Sequence, residues 1–374
     1  MAKPDRYISR LRLTGFRNYS TAALDLDHRH VVLTGPNGAG KTNVIEALSL
    51  LSPGRGLRGA AFDTLAQAGG EGSWAVAATI ETPDGPVDIG TGNVGAGSGR
   101  RVRINGASAK AVEDLGAYLR LLWLTPAMDA LFTGPATDRR RFLDRLVMTL
   151  IPGHGVSVSA FDKAMRQRNR LLEDNADPGW ISAIESQMAG FAAAIYFART
   201  DALAHLQHLV ATDIEGAFPS ALLALTPLFG EDENFTSSTT LEQALMAHWQ
   251  DSRYEDRAAR RTLVGPHRVD LSVTHAQKNM PARLCSTGEQ KGLLIGLVLA
   301  HARLVATMTG MTPLMLLDEI AAHLDPLRRG ALFEALEQLN TQVWMTGTDA
   351  VLFEDLGRNA QKITVADGTF GRIA

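Results

Sequence analysis

Cysteine is nearly absent: Cys285 is the only one in 374 residues, so the chain can form no internal disulfide. That fits a reducing cytoplasm and excludes a disulfide-built secreted scaffold. A lone cysteine among apolar neighbours reads as a small buried hydrophobe rather than a reactive thiol. Aromatic residues make up only 6 %, which argues against base stacking as a mode of nucleic-acid binding. Excess charge of either sign is missing too. The formal net charge is −3 with 21 % charged residues, so any nucleic-acid surface must be a local basic patch. The opening residues, "MAKPDRYISR", lack the apolar core of a signal peptide, and no apolar run is read as reaching the length of a membrane span. A cytoplasmic protein is expected. There are no internal repeats and no low-complexity tract. At 45 % hydrophobic, the chain can bury the core of one large or two ordinary domains.

What is present falls into three stretches. Residues 1–136 read as mostly β, with "YISRLRLTGF" and "HVVLTG" as strands and "KTNVIEALSLL" as a helix. Asn105-Gly106 in "RVRINGASA" is a hairpin signal, and "LRLLWLTP" is a buried strand stopped by proline. Residues 137–263 carry helical spacing. "FDKAMRQRNRLLED" and the long run from Trp180 to Val210 flank the turn Asp177-Pro178-Gly179, which suggests an antiparallel helix hairpin. Residues 264–374 alternate: "RVDLSVTH", a helix after Ser286, the strand "PLMLLDE", the helix "PLRRGALFEALEQL" and the strand "TQVWMTGT". That alternation predicts an α/β fold with parallel strands.

Two motifs carry chemistry. Gly35, Pro36, Asn37, Gly38, Ala39, Gly40, Lys41 and Thr42 spell G-x-x-x-x-G-K-[ST] between a predicted strand and a predicted helix. Glycines let backbone N–H groups turn toward phosphate oxygens, and the helix that follows points its positive end at the same anion. Lys41 reaches the terminal phosphates, and Thr42 offers a hydroxyl to Mg²⁺. Far downstream, "LMLLDE" places Asp318 and Glu319 at the end of an apolar strand. Asp318 suits Mg²⁺, directly or through water, and Glu319 suits the base that deprotonates the attacking water. Together they point to ATP with Mg²⁺. Nearly three quarters of the chain separates the two motifs, so a large module is inserted within one nucleotide-binding head.

A third stretch, "LCSTGEQKGLL", puts a capping box, Ser286-x-x-Glu289, before a long apolar helix. Two readings stay open on local chemistry: a well-capped helix, or a helix N-terminus that meets a phosphate belonging to a second subunit.

Six ordered segments resemble the RecF family of bacterial DNA replication and repair proteins, which are ABC-type, SMC-like ATPases. They are "LRLTGFRNY", "GPNGAGKTNVIEAL", "TGPATDRRRFLDRL", "RQRNRLL", "LVGPHRVDL" and "LLDEIAAHLD", joined by the signature-like "STGEQKG". The resemblance implies an ABC-type head, a mixed or parallel sheet with helices, built from 1–136 and 264–374, with an inserted helical arm over 137–263. It implies a homodimer that sandwiches two ATP molecules. Each nucleotide would meet the P-loop of one subunit and the signature of the other, Ser286, Thr287, Gly288, Glu289 and Gln290. Ser286 and Gly288 would face the γ-phosphate, and Gln290 would support the helix start. Asp325 would sit in a D-loop at the interface. Implied partners are DNA, duplex or gapped and without sequence preference, and the proteins RecO and RecR.

The chain departs from the family pattern at His323, where many relatives carry Glu. "MTGT" (Met345 to Thr348) lacks the switch histidine, and a threonine hydroxyl is the expected substitute. No Q-loop glutamine follows "LLWLTP", which leaves Asp129 or its neighbours in that role. Arg17 is read either as a phosphate or adenine contact or as an exposed strand-end arginine. For DNA, arginines cluster in several places: Arg100, Arg101 and Arg103; Arg139, Arg140, Arg141 and Arg145; Arg166, Arg168 and Arg170; Arg253, Arg257, Arg260, Arg261 and Arg268. Arg139, Arg140, Arg141, Arg257, Arg260 and Arg261 are the candidates for backbone phosphates, set against the plain reading that such helix faces are simply solvated. The alternatives weighed are a transporter ATPase subunit, which predicts a shorter gap and a switch histidine, and an SMC-like structural clamp, which predicts long coiled-coil arms.

Overall fold

The computed structural model describes residues 3–95, 97–212, 218–230 and 235–372; the side chains at 211, 212, 323 and 372 lie outside that description, and with them the expectation placed on His323. In chain order the first strands and helix are β1 (Tyr7–Phe16), β2 (Tyr19–Asp25), β3 (His30–Thr34), α1 (Lys41–Ser49), β4 (Trp74–Glu81), β5 (Val87–Asn93), β6 (Arg101–Ile104), β7 (Ala107–Ser108) and β8 (Leu121–Leu124). A helical stretch follows: α2 (Ala136–Leu150), α3 (His154–Glu173), α4 (Pro178–Thr212), β9 (Ala221–Leu225), α5 (Ser238–Asp251) and α6 (Arg253–Ala258). The last elements are β10 (Leu271–His275), β11 (Met280–Pro281), α7 (Thr287–Thr309), β12 (Leu314–Leu317), α8 (Pro326–Gln338), β13 (Val343–Gly347), β14 (Ala360–Ala366) and β15 (Thr369–Arg372). They divide into two compact units. One holds the described residues up to Asp129, Phe218 and Pro219, and those from Lys291 on; the other holds the described residues from Ala130 to Gln290 less those two.

The first unit contains two six-stranded sheets. One has the order β15-β14-β3-β13-β12-β8; β14, β3, β13, β12 and β8 run parallel, and β15 closes one edge antiparallel. Every residue of β3, β8, β12 and β13 is buried, as expected of strands covered on both faces. The other sheet, β2-β1-β4-β5-β6-β7, is antiparallel, and β4 and β5 alternate buried with more exposed positions. Asn105 and Gly106 both take positive φ, 48° and 81°, the geometry of a tight β6–β7 hairpin. One core gathers Leu11 and Leu13 from the antiparallel sheet, Ile45 and Leu48 from α1, and Leu33, Leu316 and Trp344 from the parallel sheet. The buried amide of Gln342 clips the sheets together: it donates to the carbonyls of Ile8 and Asp27 and accepts from Ile8 N–H and from Trp344 Nε1.

The second unit is built on α3 and α4, 20 and 35 residues long and joined by the turn after Glu173. Its core packs Phe161, Met188, Ala192, Leu241, Leu245 and Trp249. At its centre sits a buried arginine. Arg168 of α3, 0 % exposed, donates to Glu185 of α4, Asp256 of α6, Thr262 and the Trp249 carbonyl of α5. The sequence reading had set Arg168 among surface arginines for DNA; it is a core residue, because a guanidinium carries enough donors to satisfy several helices at once. The same unit holds a small antiparallel sheet, β11-β10-β9. β9 is a strand within a stretch read as helical, since "ALLAL" is an apolar run without a period of its own. Its outer edge is covered by a side chain: Gln207 Oε1 accepts from Leu223 N–H at 2.6 Å, and Gln207 Nε2 reaches the Ala221 carbonyl at 3.4 Å.

One expectation needs correcting. Helix α7 is long and apolar enough to span a membrane by length and composition, which the sequence reading denied. With 67 % of its most apolar window buried inside the protein, it has the character of a core helix. It reads as apolar nearly all round because it is packed nearly all round.

Replacing Arg168 by Met leaves the buried Asp256 without its cation and Glu185 with Arg253 alone. Breaking such a network costs about 3–5 kcal/mol, so Arg168→Met lowers the urea midpoint of the helical unit and speeds amide exchange in α3 and α4. An unchanged midpoint would show that the network does not hold the helices.

Candidate functional site

The phosphate-type loop leaves the C-terminal end of β3, in the middle of the parallel sheet, and enters α1 at Lys41. Two of its glycines are dictated by their surroundings. A Cβ on Gly35 (φ 150°) would lie 2.2 Å from the Val365 carbonyl of β14. A Cβ on Gly40 (φ 111°) would lie 2.5–2.8 Å from the Asn18 side chain and the Tyr19 hydroxyl. The loop is thus propped from behind by the β1–β2 turn. Asn18 Nδ2 donates to the Ala39 carbonyl, the Tyr19 hydroxyl to the Gly40 carbonyl, and Asn43 to Asn18 Oδ1. Burial of Tyr19 pushes its phenol well above the usual range, so it remains a donor. Pro36, Asn37 and Gly38 are exposed, while Ala39, Gly40 and Lys41 are buried. Lys41 Nζ donates to the carbonyls of Gly35 and Pro36 at 2.8 and 3.0 Å.

Arg17 is not simply an exposed strand-end arginine. Its guanidinium makes a two-pronged pair with Glu46 of α1, at 2.9 and 2.7 Å, and a third bond to the Thr64 carbonyl. Arg58 holds the other side of the same buried carboxylate. The pair ties α1 to the antiparallel sheet.

The carboxylates meet the loop across the parallel sheet. Asp318 follows β12 and is 5 % exposed. Its Oδ1 accepts from two hydroxyls: Thr42 of α1 at 2.9 Å and Thr346 of β13 at 2.7 Å. Glu319 is half-buried and has φ 54°, the left-handed region that is unusual for a residue with a side chain. Its N–H donates to Thr346 Oγ1 at 2.9 Å. Thr42 and Asp318, one from each motif, are therefore brought together, with Glu319 next in the chain. Thr346 was visible only as part of "MTGT"; its place follows from β13 lying between β3 and β12, which no local spacing announces.

The signature-like stretch belongs to the second unit. Ser286, just before α7, and Thr287 and Gly288, its first residues, are exposed. The capping box is formed: Ser286 N–H and Oγ donate to Glu289 Oε2 at 3.0 and 2.9 Å, and Glu289 N–H donates back to Ser286 Oγ at 3.4 Å. Gln290 Nε2 donates to the Cys285 carbonyl at 2.9 Å. Lys278, on the β10–β11 turn, pairs with Glu289, a partner not foreseen. The Lys278 ammonium, then the Ser286 N–H and hydroxyl, hold the Glu289 carboxyl down at about 2. Asp325 caps α8 by accepting from Arg328 N–H at 2.9 Å. Asp129 pairs with Lys291 at 2.9 Å. Cys285 is buried, and burial raises its thiol.

The arginine candidates divide. Arg139 is engaged by Asp270 at 2.7 Å and by the carbonyls of Leu131 and Gly134. Arg140 is half-buried beside Thr137, and Arg141 is exposed with Asp138 3.3 Å away. Arg257, Arg260 and Arg261 are exposed, Arg257 donating to the Leu172 carbonyl. In the first cluster, Arg100 is taken up by Thr91 and by the carbonyls of Leu50, Ser52 and Gly54 past the end of α1.

Comparison with known proteins agrees with this geometry. A family model described as the RecF/RecN/SMC N-terminal domain matches residues 7–370. The DNA replication and repair protein RecF of Rhizobium meliloti (strain 1021) is 54 % identical over 366 residues, covering 97 % of this chain and 98 % of the relative. The protein of the same name from Mesorhizobium japonicum is 55 % identical over 373 residues, covering 98 % and 97 %. Among solved structures, that of the recombination mediator protein RecF-ATPrS in the RecFOR pathway superposes with a TM-score of 0.87 at 21 % identity, covering 100 % of both chains. The Smc head domain of Pyrococcus furiosus bound to the C-terminal domain of ScpA gives 0.55 at 15 %, covering 98 % and 96 %.

Two outcomes follow from the site. Gly40→Ala pushes on Asn18 and Tyr19 and weakens binding of a fluorescent ATP analogue by at least about tenfold, as expected of a side chain forced into a left-handed, crowded position. Wild-type affinity in that variant would mean the prop is dispensable. Second, Glu289 has a depressed carboxyl, so its contribution to the helix cap is complete above its ordinary 4.5 and is lost only as pH falls toward 2. Carbon-13 NMR of that carboxyl is expected to find it ionised at roughly pH 4 and above, and Lys278→Ala to shift its titration upward.

Proposed function

The chain belongs to the RecF family, within the RecF/RecN/SMC group, and we propose that it is an ATP-gated DNA-binding protein of recombinational DNA repair and replication, working in the cytoplasm. The observation that carries this reading is the hydrogen bond from Thr42 to Asp318, the residue before Glu319, beside a glycine loop whose lysine is already inside it.

On this reading the loop from Gly35 to Thr42 wraps the phosphates of ATP. Lys41 exchanges the carbonyls of Gly35 and Pro36 for terminal phosphate oxygens. The residues fit Mg²⁺: the Thr42 hydroxyl and the Asp318 carboxylate would hold it, and they already lie within 2.9 Å of one another. Among the described residues no cluster of three or more His, Cys, Asp or Glu could cage a metal alone, which suits a cation that takes its remaining ligands from phosphate and water. When bound, Mg²⁺ supplies charge neutralisation at the phosphates. Glu319 takes the proton of the attacking water. The water oxygen bonds to the γ-phosphorus as the bond to the bridging oxygen breaks, and ADP leaves with that electron pair.

The second half of each site comes from a second copy of the chain. The exposed Ser286 and Gly288 at the start of α7 present N–H groups and a hydroxyl to the partner's γ-phosphate, with Gln290 holding the turn that precedes the helix. Asp325 lies at the same interface. Binding of two ATP molecules and dimerisation are then one equilibrium, and slow hydrolysis releases the pair. On this reading the head comprises 1–136 and 264–374 and the arm 137–263; the compact units divide instead after Asp129 and after Gln290, so residues 264–290 group with the helical unit. DNA meets the exposed Arg141, Arg257, Arg260 and Arg261, with Arg140 beside them and Arg139 bracing α2 through Asp270; the contact is to backbone phosphates of duplex or gapped DNA. RecO and RecR are the partners in recombinase loading.

The test is light scattering on Glu319→Gln protein. The mass is expected to double with ATP and Mg²⁺ and to stay that of a monomer without them, while Lys41→Ala stays monomeric throughout. A dimer indifferent to nucleotide would overturn the sandwich. In parallel, duplex DNA is expected to bind at least about tenfold more tightly with ATP than without, a coupling of about 1.4 kcal/mol; equal affinities would remove the gate.

A further inference from the structure

We infer that Thr346 is a positioning residue for hydrolysis: its one hydroxyl orients the Asp318 carboxylate through its proton and the backbone of Glu319 through its lone pair. The inference rests on the ATPase reading above and extends it to a residue outside both motifs.

Thr346 lies on β13, 1 % exposed, between the strand that ends in the phosphate loop and the strand that ends in the carboxylates. A hydroxyl has a single proton. Here it goes to Asp318 Oδ1 at 2.7 Å, so the oxygen is left to accept, and it takes the Glu319 N–H at 2.9 Å. The direction of both bonds is thereby set. The second bond acts where the backbone is least comfortable. Glu319 sits at φ 54°, which is strained for a residue with a Cβ and persists only when its surroundings hold it. Glycine would relieve the strain but has no carboxylate. The Thr346 hydroxyl lets the chain turn left-handed at a glutamate, and so determines where that glutamate's side chain leaves the strand.

The first bond matters for a different reason. Thr42 and Thr346 approach the same oxygen of Asp318 from two elements, α1 and β13. Thr42 is the hydroxyl that the reading above gives to Mg²⁺. Thr346 is buried at 1 % exposure and bonds Asp318 independently of Thr42, so it keeps Asp318 oriented whether or not Thr42 changes partners. Thr348, two residues on in "MTGT", is exposed, whereas Thr346 is committed to the two carboxylate residues.

A merely structural threonine would matter for folding and not for turnover, and the paired variants separate the two. Thr346→Val keeps the shape and removes the hydroxyl; Thr346→Ser keeps the hydroxyl. Loss of a partner that orients a metal ligand or reacting group typically costs about 10–100-fold. Thr346→Val is expected to lose that much in kcat for ATP hydrolysis, to need more Mg²⁺ for half-maximal rate, and to keep ATP affinity within about twofold, while Thr346→Ser stays within about threefold of wild type in all three. Like Glu319→Gln, the valine variant is expected to accumulate as the ATP-bound dimer in light scattering, which also reports that it is folded. Wild-type turnover in Thr346→Val, or equal loss in the serine variant, would overturn the inference. Full turnover in Glu319→Gln would instead overturn the ATPase reading itself, so the two failures are told apart.

Discussion

Everything at the candidate site hangs on one carboxylate oxygen. Asp318 Oδ1 is where α1, β12 and β13 meet, and it meets them through hydroxyl groups rather than through a cation. A buried carboxylate satisfied by neutral donors keeps its charge available, whereas one satisfied by arginine would have that charge cancelled. The surrounding architecture protects this arrangement. Parallel strands buried on both faces bring three loops to one end of the sheet, and the loop from Gly35 to Gly40 is clamped from behind by Val365, Asn18 and Tyr19. In a chain of the RecF family with the ABC-type ATPase fold, the chemistry is concentrated where the sheet's own order brings distant residues side by side.

That explains which parts were legible in the sequence. The phosphate loop was, because its requirements fall on eight consecutive residues and the strand and helix that flank it have their own signals. The parallel sheet was, because strands such as "PLMLL" and "TQVWM" are apolar on both faces. The helix hairpin of α3 and α4 was announced by the Asp-Pro-Gly turn. By contrast, the role of Thr346 depends on which strand lies next to which, and β13 inserts between β3 and β12 although it follows both in sequence. The Arg17–Glu46–Arg58 cluster was hidden for the same reason: a buried ion pair across sequence distance leaves no local trace. β9 was misread, and the length of α7 overlooked although its start as a helix was legible, because an apolar run alone does not say whether strand, core helix or lipid will receive it.

The arginines teach a related point. A run of basic residues looks like a surface, yet Arg168, Arg139, Arg199 and Arg100 each tie several elements together from partly or wholly buried positions. The guanidinium group suits both tasks, since the same fork that grips a phosphate grips a carboxylate or a set of carbonyls. What separates them is the partner. Arg168 has Glu185 and Asp256 within the fold, while Arg260 and Arg261 are exposed. Counting charges along the chain cannot make that distinction, and a folded core can.

The edge of β9 has a bearing on how copies of this chain behave in a crowded solution. An open strand invites another chain to continue the sheet, and such additions have no natural stopping point. Here the Gln207 amide sits where the next strand's backbone would lie, offering one acceptor and one donor as a peptide group does. The sheet is thus ended by an imitation of itself. If pairing answers to ATP, as proposed, closing off this indiscriminate route leaves association to the surface that can be switched.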